Sequence, residues 1–451
     1  MLRDCLNPLK RQALHDSPAV TADRAWPGHI LRRTVFVVFL TFVVYQVNPS
    51  VMHQVDALPA PYVAWNLIHR ATFELTNFRP VLERHFGGVI VETPRGRWIS
   101  THPPGSAIMA VPFYAVVSVF HEEPPRYMLY VGRIVGAAYC ALATGLIFLI
   151  THRLFPKSAR LTTVLFGFGT TVYSSASQSL WQHGPAVFWV CLALVFLLLP
   201  AEELRLRRAL WAGFALGMGT LCRPTVVILL PAFLAALVLS RNWRSVFGLA
   251  LGSTAPIASL IAYNVHYAGN WLYGGLESVA KWTTPPWVGL TGLLVAPSRG
   301  LLFYTPALVV ALWGALSLLV RRNERLQPIK PLLIGAAAGS VLTLFLYAKW
   351  WCWFGGWSYG PRLLTEIMPL AVLFFALGYQ DLSSRWTRGT IAALVWLSVI
   401  VHAVGVFGHD NAWHARHYLP PDASDLFLLS DNQIWSSLVH LVSRVARLFS
   451  D

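Results

Sequence analysis

Charged residues are scarce in this chain of 451 residues: Asp, Glu, Lys and Arg together make up 12% of it, against 55% for hydrophobic residues. Soluble globular chains carry roughly a quarter charged residues, so half that share excludes an ordinary soluble protein. It excludes disorder as well, which needs the opposite balance. Cysteine is also sparse. Cys5, Cys140, Cys191, Cys222 and Cys352 lie far apart with no CxxC pair, which argues against a disulfide framework or a structural zinc site. Three of them fall inside apolar segments, where a thiol is usually a small hydrophobe. There is no GxxxxGK[ST] loop, no DxD pair and no GxGxxG fingerprint, so the common ways of holding a nucleotide are missing. No small-residue cleavage site follows the first apolar run, which therefore reads as an uncleaved span.

What is present is a series of long apolar stretches separated by short basic runs. The net charge of +15 does not point to nucleic acid, because Lys and Arg are not gathered on one face. A helix needs about 20 apolar residues to cross a bilayer. Such segments run near 31–47, 127–150, 161–178, 184–200, 209–222, 225–240, 246–266, 301–320, 331–348, 363–379 and 389–407. Short cytoplasmic loops concentrate Lys and Arg. The basic runs are Lys10, Arg11, Arg24, Arg32 and Arg33 at the N-terminus, then 151–160, 201–208, 241–244, 321–330 (with Arg321 and Arg322) and 380–388. All of them fall inside only if the apolar stretch 106–120, broken by Pro112, lies on the outer surface without crossing.

The sequence therefore predicts an all-α polytopic membrane protein of about eleven transmembrane helices, N-terminus inside. Its parts are a cytoplasmic tail (1–30), a transmembrane module (31–407) with a long first external loop (48–126) carrying surface helices, and an external tail (408–451). In that tail 434–449 sets Ile434, Trp435, Leu438, Leu441, Val442, Val445 and Leu448 on one face of an amphipathic surface helix. Pairs such as Gly213/Gly217 and Gly248/Gly252 have the spacing of close helix packing.

The unusual polar residues gather on the predicted external face. Asp56 follows the first span and is read either as a solvated interfacial acid or as a base for an acceptor hydroxyl. His102, before Pro103, Pro104 and Gly105, is a phosphate or metal contact or a plain turn residue. Trp181, Gln182 and His183 set an aromatic platform, an amide and an imidazole within one turn, where a Trp alone would be a membrane-belt residue. Arg223, before Pro224, is either a bidentate phosphate grip or a side chain snorkelling to headgroups. Arg299 in APSRGLLFYTP and Arg362 in WSYGPRLLTEIMP each precede a span, the second containing Glu366. Lys349 and Trp357 lie in the Trp-rich stretch YAKWWCWFGGWSYG, where indole faces suit a sugar ring or an isoprenoid as well as a membrane belt. His409, His414, His417 and Asp410 match no standard zinc spacing.

From about residue 45 to 435 these motifs follow one another as VDALPAPYVAWNLI, HPPGSAIMAVPFYA, SQSLWQHGP, CRPT, YNVHYAGN, APSRGLLFYTP and WFGGWSYGPRLLTEIMPL. In that order the chain resembles a GT-C type membrane glycosyltransferase, more narrowly the bacterial relatives of dolichyl-phosphate-mannose protein mannosyltransferases. The resemblance implies inverting transfer, on the external face of the bacterial inner membrane, from a polyprenyl-phosphate-linked sugar to a glycan, lipid or protein acceptor. It implies Asp56 as the base and Arg223, Arg299 or Arg362 as holders of the lipid phosphate. His102, Trp181, Gln182, His183, Lys349, Trp357 and Glu366 complete the expected substrate contacts. Many GT-C enzymes carry paired acids with a divalent metal in the first external loop. Asp56 has no acidic neighbour before Glu74, so no metal ligand is assigned and a divalent cofactor is left open. The alternative is a lipid or solute transporter or flippase, which would place ionisable residues inside spans and show inverted repeats. Here charge clusters outside the spans, and no repeat is seen.

Overall fold

The computed structural model describes residues 28–50, 55–85, 89–199, 204–272, 281–320, 324–417 and 424–448. The expectations for most of the N-terminal tail, with Lys10, Arg11 and Arg24, and for Arg321 and Arg322 fall outside the described residues. Helix α1 (Gly28–Gln46) leads through a 3-10 turn (Val55–Ala57) into short elements. These are α2 (Pro59–Arg70), α3 (Arg79–His85), the strands β1 (Ile90–Glu92) and β2 (Trp98–Ser100), and α4 (Gly105–Ser118). The strands form an antiparallel pair with Val91 opposite Ile99. The bundle continues with α5 (Met128–Leu154), α6 (Ala159–Phe168), α7 (His183–Leu198), α8 (Leu206–Cys222), α9 (Leu229–Leu239) and α10 (Trp243–Ala268). Then follow α11 (Pro286–Val295), α12 (Leu301–Tyr304), α13 (Val309–Val320) and α14 (Lys330–Lys349). The last elements are α15 (Met368–Gln380), α16 (Arg385–Gly408), α17 (Ala412–Arg416) and α18 (Gln433–Leu448).

Every predicted span is helical. Among the described residues six helical segments are long and apolar enough to cross a membrane: α1, α5, α10, α14, Arg362–Gln380 and α16. The other five predicted spans are shorter or broken, and the breaks have visible causes. Gly169 closes α6 before a π-type turn (Val172–Ala176). Pro224 and Pro306 start 3-10 turns ahead of α9 and α13, because proline cannot donate the backbone bond that would continue the preceding helix. Helix α11 was not anticipated: ten apolar residues between prolines and Ala296 are too short for a span, and they pack instead on the C-terminal end of α14.

Side chains such as Val35, Phe36, Phe39 and Val43 on α1, and Phe247, Leu251 and Val265 on α10, stay exposed. With every backbone group bonded within the helix, such apolar outer faces suit hydrocarbon. Inside, α8 and α10 pack backbone to backbone at Gly213, Gly217, Gly248 and Gly252. Following the alternation of helices, the ends of α1, α6, α8, α10, α14 and α16 meet the starts of α5, α7, α9 and Arg362–Gln380. Helix α4 does not leave this end: Gly105 touches Leu221 and Cys222 at the close of α8, and the Tyr114 hydroxyl donates to the Met128 carbonyl at the start of α5 (2.7 Å). The described basic runs sit at the opposite end, where the Lys157 N–H donates to Gln380 Oε1 (3.1 Å) and Asn242 Nδ2 to the Leu204 carbonyl (3.1 Å).

Candidate active site

Asp56 lies in the turn that joins α1 to α2. Its Oδ2 accepts a hydrogen bond from Arg362 Nη1 at 2.8 Å, and its Oδ1 is 3.6 Å from His102 Nε2. Burial pushes the carboxyl up, but the Arg362 guanidinium and His102 together outweigh it and hold Asp56 well below the usual carboxylate range. The side chain is still 37% exposed, so the carboxylate remains reachable. His102 owes its place to Gly105. Any Cβ there would collide with the backbone of Leu221 and Cys222, so only glycine brings the Pro103–Pro104 turn against the end of α8.

Arg362 opens the helical segment that leads into α15. Its guanidinium lies 4.3 Å from the Trp181 ring centroid, a cation–π geometry. Nη2 donates to the Gly355 carbonyl at 2.8 Å. That carbonyl belongs to a loop with left-handed backbone at Gly355, Gly356 and Gly360 (φ 80°, 62° and 70°), a conformation side chains resist. Arg223, just past α8, forms the second cationic point. Its Nε is 3.0 Å from Glu366 Oε1 and 3.1 Å from the Tyr347 hydroxyl, and its Nη1 donates to Gln182 Oε1 at 3.3 Å. Glu366 Oε1 also meets His183 Nδ1 at 2.5 Å.

These side chains border one cavity of about 170 Å³. Its polar lining is Asp56, His102, Gln182, His183, Arg223, Thr225 and Arg362, and its aromatic lining is Trp181, Trp282, Tyr347 and Trp350. A much smaller neighbouring cavity shares Asp56, His102 and Gln182 and extends to Ser100, Ser106 and Tyr263. Two guanidinium groups thus face two carboxylates, Arg362 with Asp56 and Arg223 with Glu366. Trp181 Nε1 and Arg362 Nε are buried without a hydrogen-bond partner among the described residues.

Seven of the residues singled out in the sequence line this cavity together: Asp56, His102, Trp181, Gln182, His183, Arg223 and Arg362. Glu366 stands one layer behind, 2% exposed, and steers His183 and Arg223 without lining the space. Three residues are elsewhere. Lys349 is exposed, and Trp357 stacks on His414 (5.6 Å between centroids, 22° between planes). Arg299 corrects the sequence reading most clearly, because it is fully buried and faces carbonyls in place of the cavity. Its Nη2 donates to Gly356 O (2.8 Å), and its Nη1 to Gln433 Oε1 (2.8 Å) and to the Ser358 carbonyl. Its Nε is buried without a partner among the described residues, and none of its N–H groups faces the cavity where a lipid phosphate would sit.

Sequence reasoning passed over Tyr347, Thr225 and Trp282. Tyr347 is the closest to legible, since it opens the Trp-rich stretch, and its hydroxyl meets Thr225 Oγ1 at 2.8 Å. Glu74, the next acid after Asp56, is engaged by Arg97 in the β-hairpin region (2.5 Å). Among the described residues no three His, Cys, Asp or Glu side chains are grouped to hold a metal ion. Arg362 occupies one Asp56 carboxylate oxygen, and among the described residues no second carboxylate stands beside it.

Comparison with known proteins agrees with this architecture. The sequence model of the dolichyl-phosphate-mannose-protein mannosyltransferase family matches residues 103–266. No curated protein sequence matches the chain. Among solved structures the chain is similar to ArnT from Cupriavidus metallidurans bound to undecaprenyl phosphate. The identity is 15% and the TM-score 0.52, covering 94% of this chain and 72% of that one. The fold is the predominantly helical GT-C architecture. Family match and fold together support a membrane glycosyltransferase.

Proposed function

We propose that the chain transfers a sugar from a polyprenyl-phosphate-linked donor to an acceptor hydroxyl on the external face of the bacterial inner membrane, with Asp56 as base and Arg223 and Arg362 at the donor phosphate. The observation that carries this reading is the single cavity that joins one reachable carboxylate, two guanidinium groups and an aromatic wall.

In the proposed step the acceptor oxygen attacks the anomeric carbon and the bond from that carbon to the phosphate oxygen breaks. The electron pair leaves with the polyprenyl phosphate, and Asp56 takes the hydroxyl proton. Arg223 and Arg362 sit where negative charge grows on the departing phosphate. Trp181, Trp282 and Trp350 offer flat apolar faces for the sugar. The lipid tail stays in the bilayer, at about 0.8 kcal/mol per buried methylene. Arg362 cannot grip phosphate fully while it holds Asp56. A donor phosphate that draws Arg362 away removes the strongest cation next to the carboxylate, so Asp56 becomes a better base once the donor is in place.

The outward orientation is supported by the basic loops at the opposite end of the bundle. A reporter fused after residue 407 is expected to be shielded from cytoplasmic label, and cytoplasmic labelling would reverse the assignment. For the chemistry, the purified protein in nanodiscs is incubated with polyprenyl-phosphate sugars and candidate acceptors. Released polyprenyl phosphate, lost in Asp56→Asn, is the expected result. No release and no binding of polyprenyl phosphate would overturn the proposal. Movement of lipid between leaflets without sugar transfer would favour the transporter.

A further inference from the structure

Gln433 is the first residue of the tail helix α18 and is fully buried. One amide gathers an unusual number of partners. Its Oε1 accepts from Arg299 Nη1 (2.8 Å), the Tyr304 hydroxyl (2.9 Å) and the Gly360 N–H (3.0 Å). Its Nε2 donates to the Ser358 carbonyl (2.9 Å) and lies 2.9 Å from His414 Nε2. Its own backbone N–H donates to Ser298 Oγ (3.2 Å). Two of these contacts, to the Gly360 N–H and the Ser358 carbonyl, fall on the glycine loop that carries the Gly355 carbonyl, and that carbonyl in turn holds Arg362 Nη2. The left-handed glycines leave the loop little intrinsic preference for one shape, so its shape is set by what grips it.

We propose that Gln433 is a positioning residue for Arg362. By clamping Ser358 and Gly360 it fixes the loop, and the loop aims the guanidinium over Trp181 and onto Asp56. The tail thereby sets the strength of the cationic grip in the cavity without touching anything bound there. Only the ligand-binding arm of the test rests on the glycosyltransferase reading.

The test uses the full chain in nanodiscs with Gln433→Met, which keeps the volume and removes the amide. Amide exchange across 355–362 is expected to rise about tenfold, as losing two buried hydrogen bonds to the loop implies, with α5 to α8 unchanged. Phenylglyoxal modification of Arg362, mapped by peptide mass, is expected to rise severalfold. Affinity for undecaprenyl phosphate, used as the probe, is expected to fall about tenfold, as for one weakened charge-assisted contact. Gln433→Glu keeps the oxygens that receive Arg299, Tyr304 and Gly360 N–H, and is expected to restore most of the Arg362 protection. If Gln433→Met does not fold, Gln433→Asn, an amide one methylene shorter, gives the same readouts. Unchanged exchange in the loop and unchanged Arg362 modification would overturn the proposal. So would exchange rising equally through α5 to α8, which marks a purely structural role. If the wild-type chain binds no undecaprenyl phosphate, the functional reading fails, while exchange and modification still decide the role of Gln433.

Discussion

Arg299 and Arg362 look alike in the sequence and do opposite things in the structure. Each stands just before an apolar helical segment at the same end of the bundle, one in SRGLL and the other in PRLLT. Arg362 has a carboxylate partner, an aromatic face and a cavity. Arg299 has backbone carbonyls, an amide oxygen and no exposure. The partners decide what each can do. A guanidinium on a reachable carboxylate can exchange that partner for a phosphate. One that satisfies buried carbonyls cannot leave them, because each orphaned carbonyl costs about 1–3 kcal/mol.

The sharpest way to break this contrast begins at the carboxylate. Asp56→Asn is expected to lower the turnover of sugar transfer by about 100- to 10,000-fold, the usual weight of a general base. Binding of undecaprenyl phosphate should hold or tighten, since Arg362 loses its competing anion. Weakened lipid binding together with full turnover would show that the pair has no part in catalysis.

Exchanging the roles of the two arginines comes next. Arg362→Gln is expected to cost about 10- to 100-fold in affinity for the lipid phosphate, the worth of one charge-assisted hydrogen bond, and to lower the melting temperature only by the part-exposed ion pair with Asp56, less than Arg299→Gln does. Arg299→Gln is expected to do the reverse. It strips partners from the carbonyls of Gly356 and Ser358 and should cost about 3 kcal/mol or more of stability, read as a lower melting temperature, with lipid binding lost only as far as the fold is lost. Equal effects of the two substitutions on binding would erase the distinction.

The same pair shows what the sequence can express. Predicted spans became helices because runs of apolar side chains leave a bilayer few other choices. The turn at Arg223 was readable in CRPT because proline marks the break. Asp56, His102 and the Trp181–His183 turn could be nominated because polar groups beside spans are rare enough to notice. Arg299 was nominated on the same ground and lies elsewhere, since sequence marks a cation near a helix start but not the carbonyls that fold around it. Tyr347 and Trp282 went unnoticed for the complementary reason: aromatic residues at a membrane interface are common, and only the tertiary fold selects these two. In α18 the predicted apolar face is divided. Trp435, Val442 and Val445 stay exposed, while Ile434 packs against the Tyr304, Tyr359 and Val401 cluster.

The smallest expected effect separates the two regions by pH. Burial, with Arg299 adding to it, pushes His414 beside the clamp down to about 2. An unfolded chain binds a proton at that imidazole near pH 6.5, whereas the folded chain does not. Stability is therefore lost as pH falls below about 6.5, at up to about 1.4 kcal/mol per pH unit for one such group. Burial lowers His409 to about 4 in the same sense, so His414→Gln should remove part of the acid sensitivity of the melting temperature between pH 6.5 and 4, and not all of it. The carboxylate in the cavity acts in the same direction but in a lower window. Asp56, held low by Arg362, contributes stability that is present above about pH 4 and is lost only as pH falls further, through the depressed value. Melting curves at pH 7.5, 4.5 and 2.5 resolve the two windows. His414→Gln should flatten the first interval, and Arg362→Gln, by letting the carboxyl return toward its ordinary range, should flatten the second.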